Sequence, residues 1–216
     1  MRRKTIKRIR RIYLFSSILM GVISPVICLY FFPEFDPRIH PISLFGILKE
    51  SSLIFTVSLI IFATALLWNG MAIIEKLIKQ KQYRFWLRLL LAAASFNLCL
   101  TGIIPMTLGL LHQIPALCFF LAYNFFIFLF GIARTNSYVR KGLFSAITGS
   151  LMLLSSLLLI PFPSYGVAEV CYIFLIFFWN LIMWLQQQKL IILQIKILID
   201  WLQDIDLVFG QVVLQR

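Results

Sequence analysis

Long stretches without a charged residue are the feature that most constrains how this chain can fold. Charged residues occur in short clusters, and the uncharged runs between them cover residues 12–33, 51–74, 89–133, 142–168 and 170–188. A helix that crosses the hydrocarbon core of a bilayer needs roughly 17–25 residues. Four of the runs therefore fit one span each, and the pattern predicts an integral membrane protein made of helices.

The third run is too long for a single span, and two prolines interrupt it. Pro105 follows a glycine and two isoleucines, and Pro115 comes ten residues later. Because proline disrupts helices, we expect two helices here, joined by a turn around Met106–Ile114. The complete prediction is an all-α bundle of six transmembrane helices, at about 12–33, 51–74, 89–104, 114–133, 142–162 and 170–188.

The composition excludes the other fold classes. Hydrophobic residues make up 61% of the 216-residue chain, charged residues 13%, and the mean hydropathy is +0.94. Soluble domains are typically about 45–50% apolar and about 25% charged. A soluble domain, a disordered chain and a disulfide scaffold are therefore excluded. The four cysteines all fall in predicted spans without a metal-binding spacing, so we interpret them as small core residues.

The distribution of lysine and arginine predicts the orientation of the bundle. With both termini inside, 18 of the 20 cations lie on the inner side, and only Arg38 and Lys49 lie outside. Such a bias is the signal of cytoplasmic segments. We expect a multi-pass protein of a prokaryotic cell membrane with both termini in the cytoplasm. The basic arm, residues 1–11, is then a topology determinant that contacts lipid headgroups, with no nucleic acid as a partner.

Polar side chains on the predicted outer side form the first candidate site. The loop 33–51 carries Asp36, His40 and Ser43, and the turn between spans three and four carries His112, the only other histidine of the chain. Imidazole and carboxylate groups suit zinc, so a metal held by His40, His112 and Asp36 is one hypothesis. Two histidines without a spacing signal fall short of a zinc set, however. We therefore expect no metal and no cofactor, and histidines that contact headgroups, water or backbone.

The predicted spans contain no Asp, Glu, Lys or Arg, which disfavours a proton pump with an internal carboxylate. Their strongest polar groups are four amides, Asn69, Asn97, Asn124 and Asn180. Asparagine inside a membrane commonly bonds a neighbouring helix. We expect that role for all four, and the alternative is a polar cavity for a small ligand.

The segment 189–216 predicts an amphipathic helix on the cytoplasmic side. Its polar residues follow one narrow stripe, and the remaining positions are mostly apolar. The stripe consists of Lys189, Lys196, Asp200, Gln203, Asp204 and Gln211. This helix either lies in the membrane interface, docks on the bundle, or binds another membrane or cytoplasmic subunit through residues 189–209.

Two short motifs resemble those of a known family. The sequence Phe35-Asp-Pro-Arg-Ile-His-Pro-Ile-Ser-Leu-Phe-Gly46 is one, and Gly102-Ile-Ile-Pro105 followed by His112 is the other. They resemble the signatures of the prokaryotic six-span membrane family of unknown function catalogued as domain-of-unknown-function family 998. The distantly similar eukaryotic damage-regulated autophagy modulators share the six-span layout and a related histidine.

The resemblance covers roughly residues 10–186 and implies that Ser43, Gly46, Pro105 and His112 are site positions. Where the family pattern has an acid after the serine, this chain has Leu44. The resemblance therefore does not imply an acid-dependent site in the loop, and it supplies no activity.

Three functions are compatible with these features. The leading hypothesis is a non-enzymatic membrane protein that binds a lipid or small apolar ligand, or that serves as an accessory subunit, with membrane lipids as its partners. The second is a hydrolase or transferase that acts on a lipid headgroup through His40, His112 and Asp36. The third is a facilitator with a path lined by asparagines.

Overall fold

Apolar helices with short connections form the described part of the molecule. The computed structural model describes residue 13 and residues 23–135, 139–159, 166–167, 169–183 and 185. The helices are α1 (23–31), α2 (Ser52–Leu77), α3 (Lys81–Ile103), α4 (Leu110–Thr135), α5 (Val139–Leu159) and α6 (Glu169–Met183). No strand occurs among these residues, so the all-α class is confirmed.

Within the described residues, three helices, α2, α3 and α4, are long and apolar enough to cross a membrane. Two further apolar segments, Gly142–Leu154 within α5 and the whole of α6, are shorter. The basic arm 1–11, most of the first predicted span and the amphipathic helix 189–216 lie outside the described residues. Contacts divide the chain into two units, Met1–Leu175 and Ile176–Arg216, and the packing described below is within the first.

The connection between α3 and α4 is shorter than the predicted turn at Met106–Ile114. It consists of a 3₁₀ turn, Met106–Leu108, and Gly109, whose φ of 56° lies in the left-handed region. Glycine adopts this conformation without steric cost, so the chain reverses quickly and α4 starts at Leu110. Pro115 consequently lies inside α4. Membrane helices tolerate proline in this way because neighbouring groups satisfy the freed backbone.

Consecutive helices pack on one another, α2 on α3, α3 on α4, and α4 on α5. The α4–α5 contact is close, because glycines on each helix meet the backbone of the other. A Cβ atom added at Gly131 would clash with the backbone of Ala146, and one added at Gly149 would clash with that of Phe128. Small residues in both helices thus let the two backbones approach closely.

The loop 33–51 is ordered around a 3₁₀ helix, Ile42–Gly46, which we call the loop helix. It contacts α2 and the Met106–Leu108 turn. Its buried side chains, Ile42 and Phe45, form an apolar cluster with Cys28 and Phe55. We use the term loop end for the side of the first unit formed by this loop, the α3–α4 turn and the start of α6.

Candidate functional site

The loop helix is capped by a side chain from a distant part of the sequence. Its own preceding residue, Pro41, offers no side-chain cap. Instead, the carboxylate of Glu169, the first residue of α6, accepts a hydrogen bond of 2.6 Å from the backbone N–H of Ile42 and another from that of Ser43. The free N–H groups at the start of a helix need such partners. Glu169 therefore fastens the loop to α6.

Two neighbours of Glu169 extend this contact. Gly166 lies so close to the loop that an added Cβ would clash with the backbone carbonyls of His40 and Pro37. Ile173, one helical turn after Glu169, packs against the cluster under the loop helix. The loop is thus held by a backbone contact, a polar cap and an apolar contact, all from residues 166–173.

The environment of Glu169 favours its neutral form. Burial raises the pKa of this carboxyl to about 7, against an ordinary value of 4.5, although the hydrogen bonds from Ile42 and Ser43 act in the opposite direction. Taking a carboxylate out of water without a cation beside it has this effect. Glu169 makes no ion pair among the described residues. The fastening of the loop therefore contains a group that titrates near neutral pH.

Asp36 and His40 lie in one tight turn of the loop. The backbone N–H of Asp36 donates to Nδ1 of His40 at 3.3 Å, and the carboxylate of Asp36 accepts from the backbone N–H of Arg38 at 2.9 Å. The imidazole also contacts the rings of Phe32 and Phe35. The Asp36 carboxylate thus binds the backbone of the turn and does not bind the imidazole of His40. These two side chains therefore form no acid–base pair.

His112 is buried at the start of α4, with 5% of its surface exposed. Its Nδ1 lies 2.6 Å from the carbonyl oxygen of Ile104, the residue that ends α3. Because a carbonyl only accepts, Nδ1 is the donor in this bond. His112 therefore ties the end of α3 to the start of α4, across the turn that Pro105 begins.

The two family-like motifs meet at the loop end. The hydroxyl of Ser43 donates to Sδ of Met106 at 3.2 Å, which joins the loop helix to the α3–α4 turn. Gly46 faces the ring of Phe55, which would lie 3.1 Å from an added Cβ. The positions that the resemblance singles out thus support the structure of this end.

No cluster of metal-ligating side chains supports the metal hypothesis in the part of the chain that the structure describes. Among the described residues, no three His, Cys, Asp or Glu side chains are grouped so that they could hold a metal ion. The hypothetical set of His40, His112 and Asp36 is therefore not assembled. The hydrogen bonds of each of the three are to backbone groups.

The four membrane asparagines differ from one another. Asn97 and Asn180 donate to carbonyls of their own helices, those of Ala93 and Ile176, both at 2.8 Å. The side-chain nitrogen of buried Asn69 has no hydrogen bond to the described residues. Asn69 and Asn97 thus show no bond to another helix among the described residues, although we expect that role for all four asparagines.

Asn124 of α4 does connect helices. It donates to the hydroxyl of Tyr172 in α6, and that hydroxyl donates to the backbone carbonyl of Met152 in α5. Asn124 is fully buried and Tyr172 nearly so. One polar chain thus links three helices in the interior.

Sequence reasoning missed Glu169, Tyr172 and Met106 as site residues. A signal existed for Glu169, which is the only charged residue between the uncharged runs 142–168 and 170–188. A charge that interrupts two apolar runs at a single position indicates a specific partner. No comparable signal marks Tyr172 or Met106, because their partners are far away in the sequence.

A known protein family matches most of the chain. The sequence model of the family described as "Protein of unknown function (DUF998)" matches residues 16–185. No curated protein and no solved structure matches the chain.

Proposed function

This chain belongs to the DUF998 family of proteins of unknown function, and we propose that it is a non-enzymatic, six-span membrane protein that binds a phospholipid of the outer leaflet at its loop end. In this proposal both termini are cytoplasmic and the protein resides in a prokaryotic cell membrane. The orientation rests on the 18 cations assigned to the inner side and on the positive-inside rule.

The observation that carries the proposal is an apolar band around the α3–α4 turn. No charged residue occurs between Leu89 and Ala133, and large apolar side chains stand exposed on both sides of the turn. They are Ile103, Leu108, Leu110, Leu111, Ile114 and Leu117. A turn in water would be polar, so this turn suits the boundary between hydrocarbon and headgroups.

The neighbouring loop supplies the polar half of an amphipathic surface. Glu34, Arg38, Lys49 and Glu50 are exposed on it, and the contacts to Glu169 and Met106 hold it in place. An apolar band beside ordered charges complements a lipid, whose tails and headgroup differ in the same way. This arrangement supports lipid binding more than a path through the bundle.

The test compares two pairs of leucines with matched exposure. The variant Leu108→Ala with Leu111→Ala removes side chains that are 52% and 62% exposed at the loop end. The control, Leu143→Ala with Leu151→Ala, removes side chains that are 50% and 59% exposed on α5. Full-length protein released gently from its membrane is compared by native mass spectrometry for retained phospholipid.

We expect about tenfold weaker lipid retention in the loop-end pair, because it loses roughly 1.5 kcal/mol of apolar contact. The control pair should retain lipid like the wild type. Equal losses in the two pairs would contradict the proposal, since they would indicate ordinary annular lipid. A lysolipid or free headgroup product that disappears in His112→Asn would instead favour the hydrolase hypothesis.

A further inference from the structure

Among the residues that the structure describes, the contact between the 33–51 loop and α6 contains a single ionisable side chain. Its polar part is one carboxyl group, Glu169, which accepts from backbone N–H groups of Ile42 and Ser43. Its other parts, the approach of Gly166 to the loop backbone and the packing of Ile173, are uncharged. The strength of the fastening therefore depends on the state of one titratable group.

We propose that Glu169 is a pH-sensitive catch for the 33–51 loop, which closes the loop onto α6 when the carboxyl is protonated and loosens it when the carboxyl is ionised. The proposal concerns the position of the loop and does not depend on lipid binding. It gives the loop end two states that differ by a single proton.

The sign follows from the two environments of the carboxyl. In the closed state burial raises the pKa of Glu169 to about 7, whereas a carboxyl in water has a value near 4.5. The closed state thus binds the proton more tightly than an open state in which Glu169 is solvated. Closure is fully favoured below about pH 4.5, and this advantage is lost as the pH rises through about 7.

The other charged groups of the loop end form no ion pair with Glu169 among the described residues. The loop carries Glu34, Asp36, Arg38, His40, Lys49 and Glu50, and the start of α4 carries His112. The described part of the Met106–Leu108 turn and of α1 adds no further charge. His40 and His112 are the residues whose type also titrates near neutral pH, so both need controls.

Hydrogen exchange of the loop helix measures the proposal directly. Full-length protein in lipid nanodiscs is labelled at pH 5, 6, 7 and 8, and protection factors are corrected for the intrinsic exchange rate. The peptide that contains Ile42 and Ser43 should lose about tenfold in protection between pH 6 and pH 8, given the two pKa values above. A peptide from the middle of α3 should keep a constant protection factor.

Variants assign the effect to Glu169. Glu169→Gln keeps an acceptor oxygen but cannot ionise, so its loop should stay protected at every pH. His40→Asn and His112→Asn keep a hydrogen-bonding group near the position of Nδ1 and should retain the pH dependence of the wild type. A wild-type loop whose protection is independent of pH would overturn the proposal. So would a pH dependence that persists in Glu169→Gln.

Discussion

At the scale of single residues, Tyr172 has the clearest energetic role. Its hydroxyl accepts from Asn124 and donates to the carbonyl of Met152, so it satisfies groups on two other helices at once. Removal of such a hydroxyl takes one hydrogen bond from each buried partner, while the direct bond from Nδ2 of Asn124 to the Met152 carbonyl, at 3.4 Å, remains. A buried polar group that loses a hydrogen bond costs about 1–3 kcal/mol. Bonds between membrane helices lie toward the low end of this range.

We therefore predict that Tyr172→Phe lowers the free energy of unfolding by roughly 1–2 kcal/mol. The measurement is unfolding by sodium dodecyl sulfate in mixed micelles. Tyr30→Phe is the matched control, because Tyr30 is 82% exposed and its hydroxyl makes no hydrogen bond to the residues that the structure describes. If the two variants unfolded alike, the polar chain would be energetically irrelevant.

Residues also show where sequence reasoning ends. His112 and Ser43 could be singled out because they lie in short local motifs, and the structure does place both in contacts at the loop end. Glu169 and Ile42 are 127 positions apart, and no periodicity or spacing connects them. A contact of this kind arises only from the packing of helices, which a single sequence does not encode in a readable pattern.

At the scale of elements, the presence of the helices could be predicted from the sequence better than the residues at which they begin and end. Uncharged runs indicate α2, α3 and α4 because transfer of charge into hydrocarbon is costly. The end of the α3–α4 turn could not be predicted from its prolines, because Pro115 is accommodated within α4 while Gly109 makes the reversal. Backbone conformation at one glycine, rather than proline content, sets the length of this turn.

The α4–α5 contact predicts that a glycine-to-alanine substitution in α4 lowers stability, whereas such substitutions usually raise it. Glycine to alanine normally stabilises a helix interior by roughly 0.5–1 kcal/mol. At Gly131 the added Cβ would instead clash with the backbone of Ala146, and backbone cannot rotate away as a side chain can. Gly131→Ala should therefore destabilise the protein by about 1–3 kcal/mol.

The same unfolding assay in micelles measures this effect. Ser150→Ala serves as the control, because Ser150 is exposed on α5 and should change stability by less than about 0.5 kcal/mol. A stabilised Gly131→Ala variant would show that α4 and α5 do not approach as closely as described.

At the scale of the whole molecule, the proposed orientation determines which side of the membrane the loop end faces. The apolar band and the pH-sensitive catch both belong to the loop end. If that end is outside, both sense the outer leaflet and the external pH. If it is inside, the same groups meet the cytoplasm, whose pH varies little. The functional meaning of the loop end thus depends on an orientation that rests on the distribution of cations.

Labelling of single cysteines tests that orientation. In a variant whose four native cysteines are replaced, Arg38→Cys and Lys79→Cys each exchange one exposed cation for a thiol. Arg38 lies in the 33–51 loop before α2 and Lys79 in the connection after it, so the two labels flank opposite ends of α2. We predict that a membrane-impermeant maleimide labels Arg38→Cys in intact cells and labels Lys79→Cys only in inverted membrane vesicles, because most cations belong inside. The reverse pattern would move the loop end to the cytoplasm. Labelling of both sites from one side would instead show that α2 does not cross the membrane.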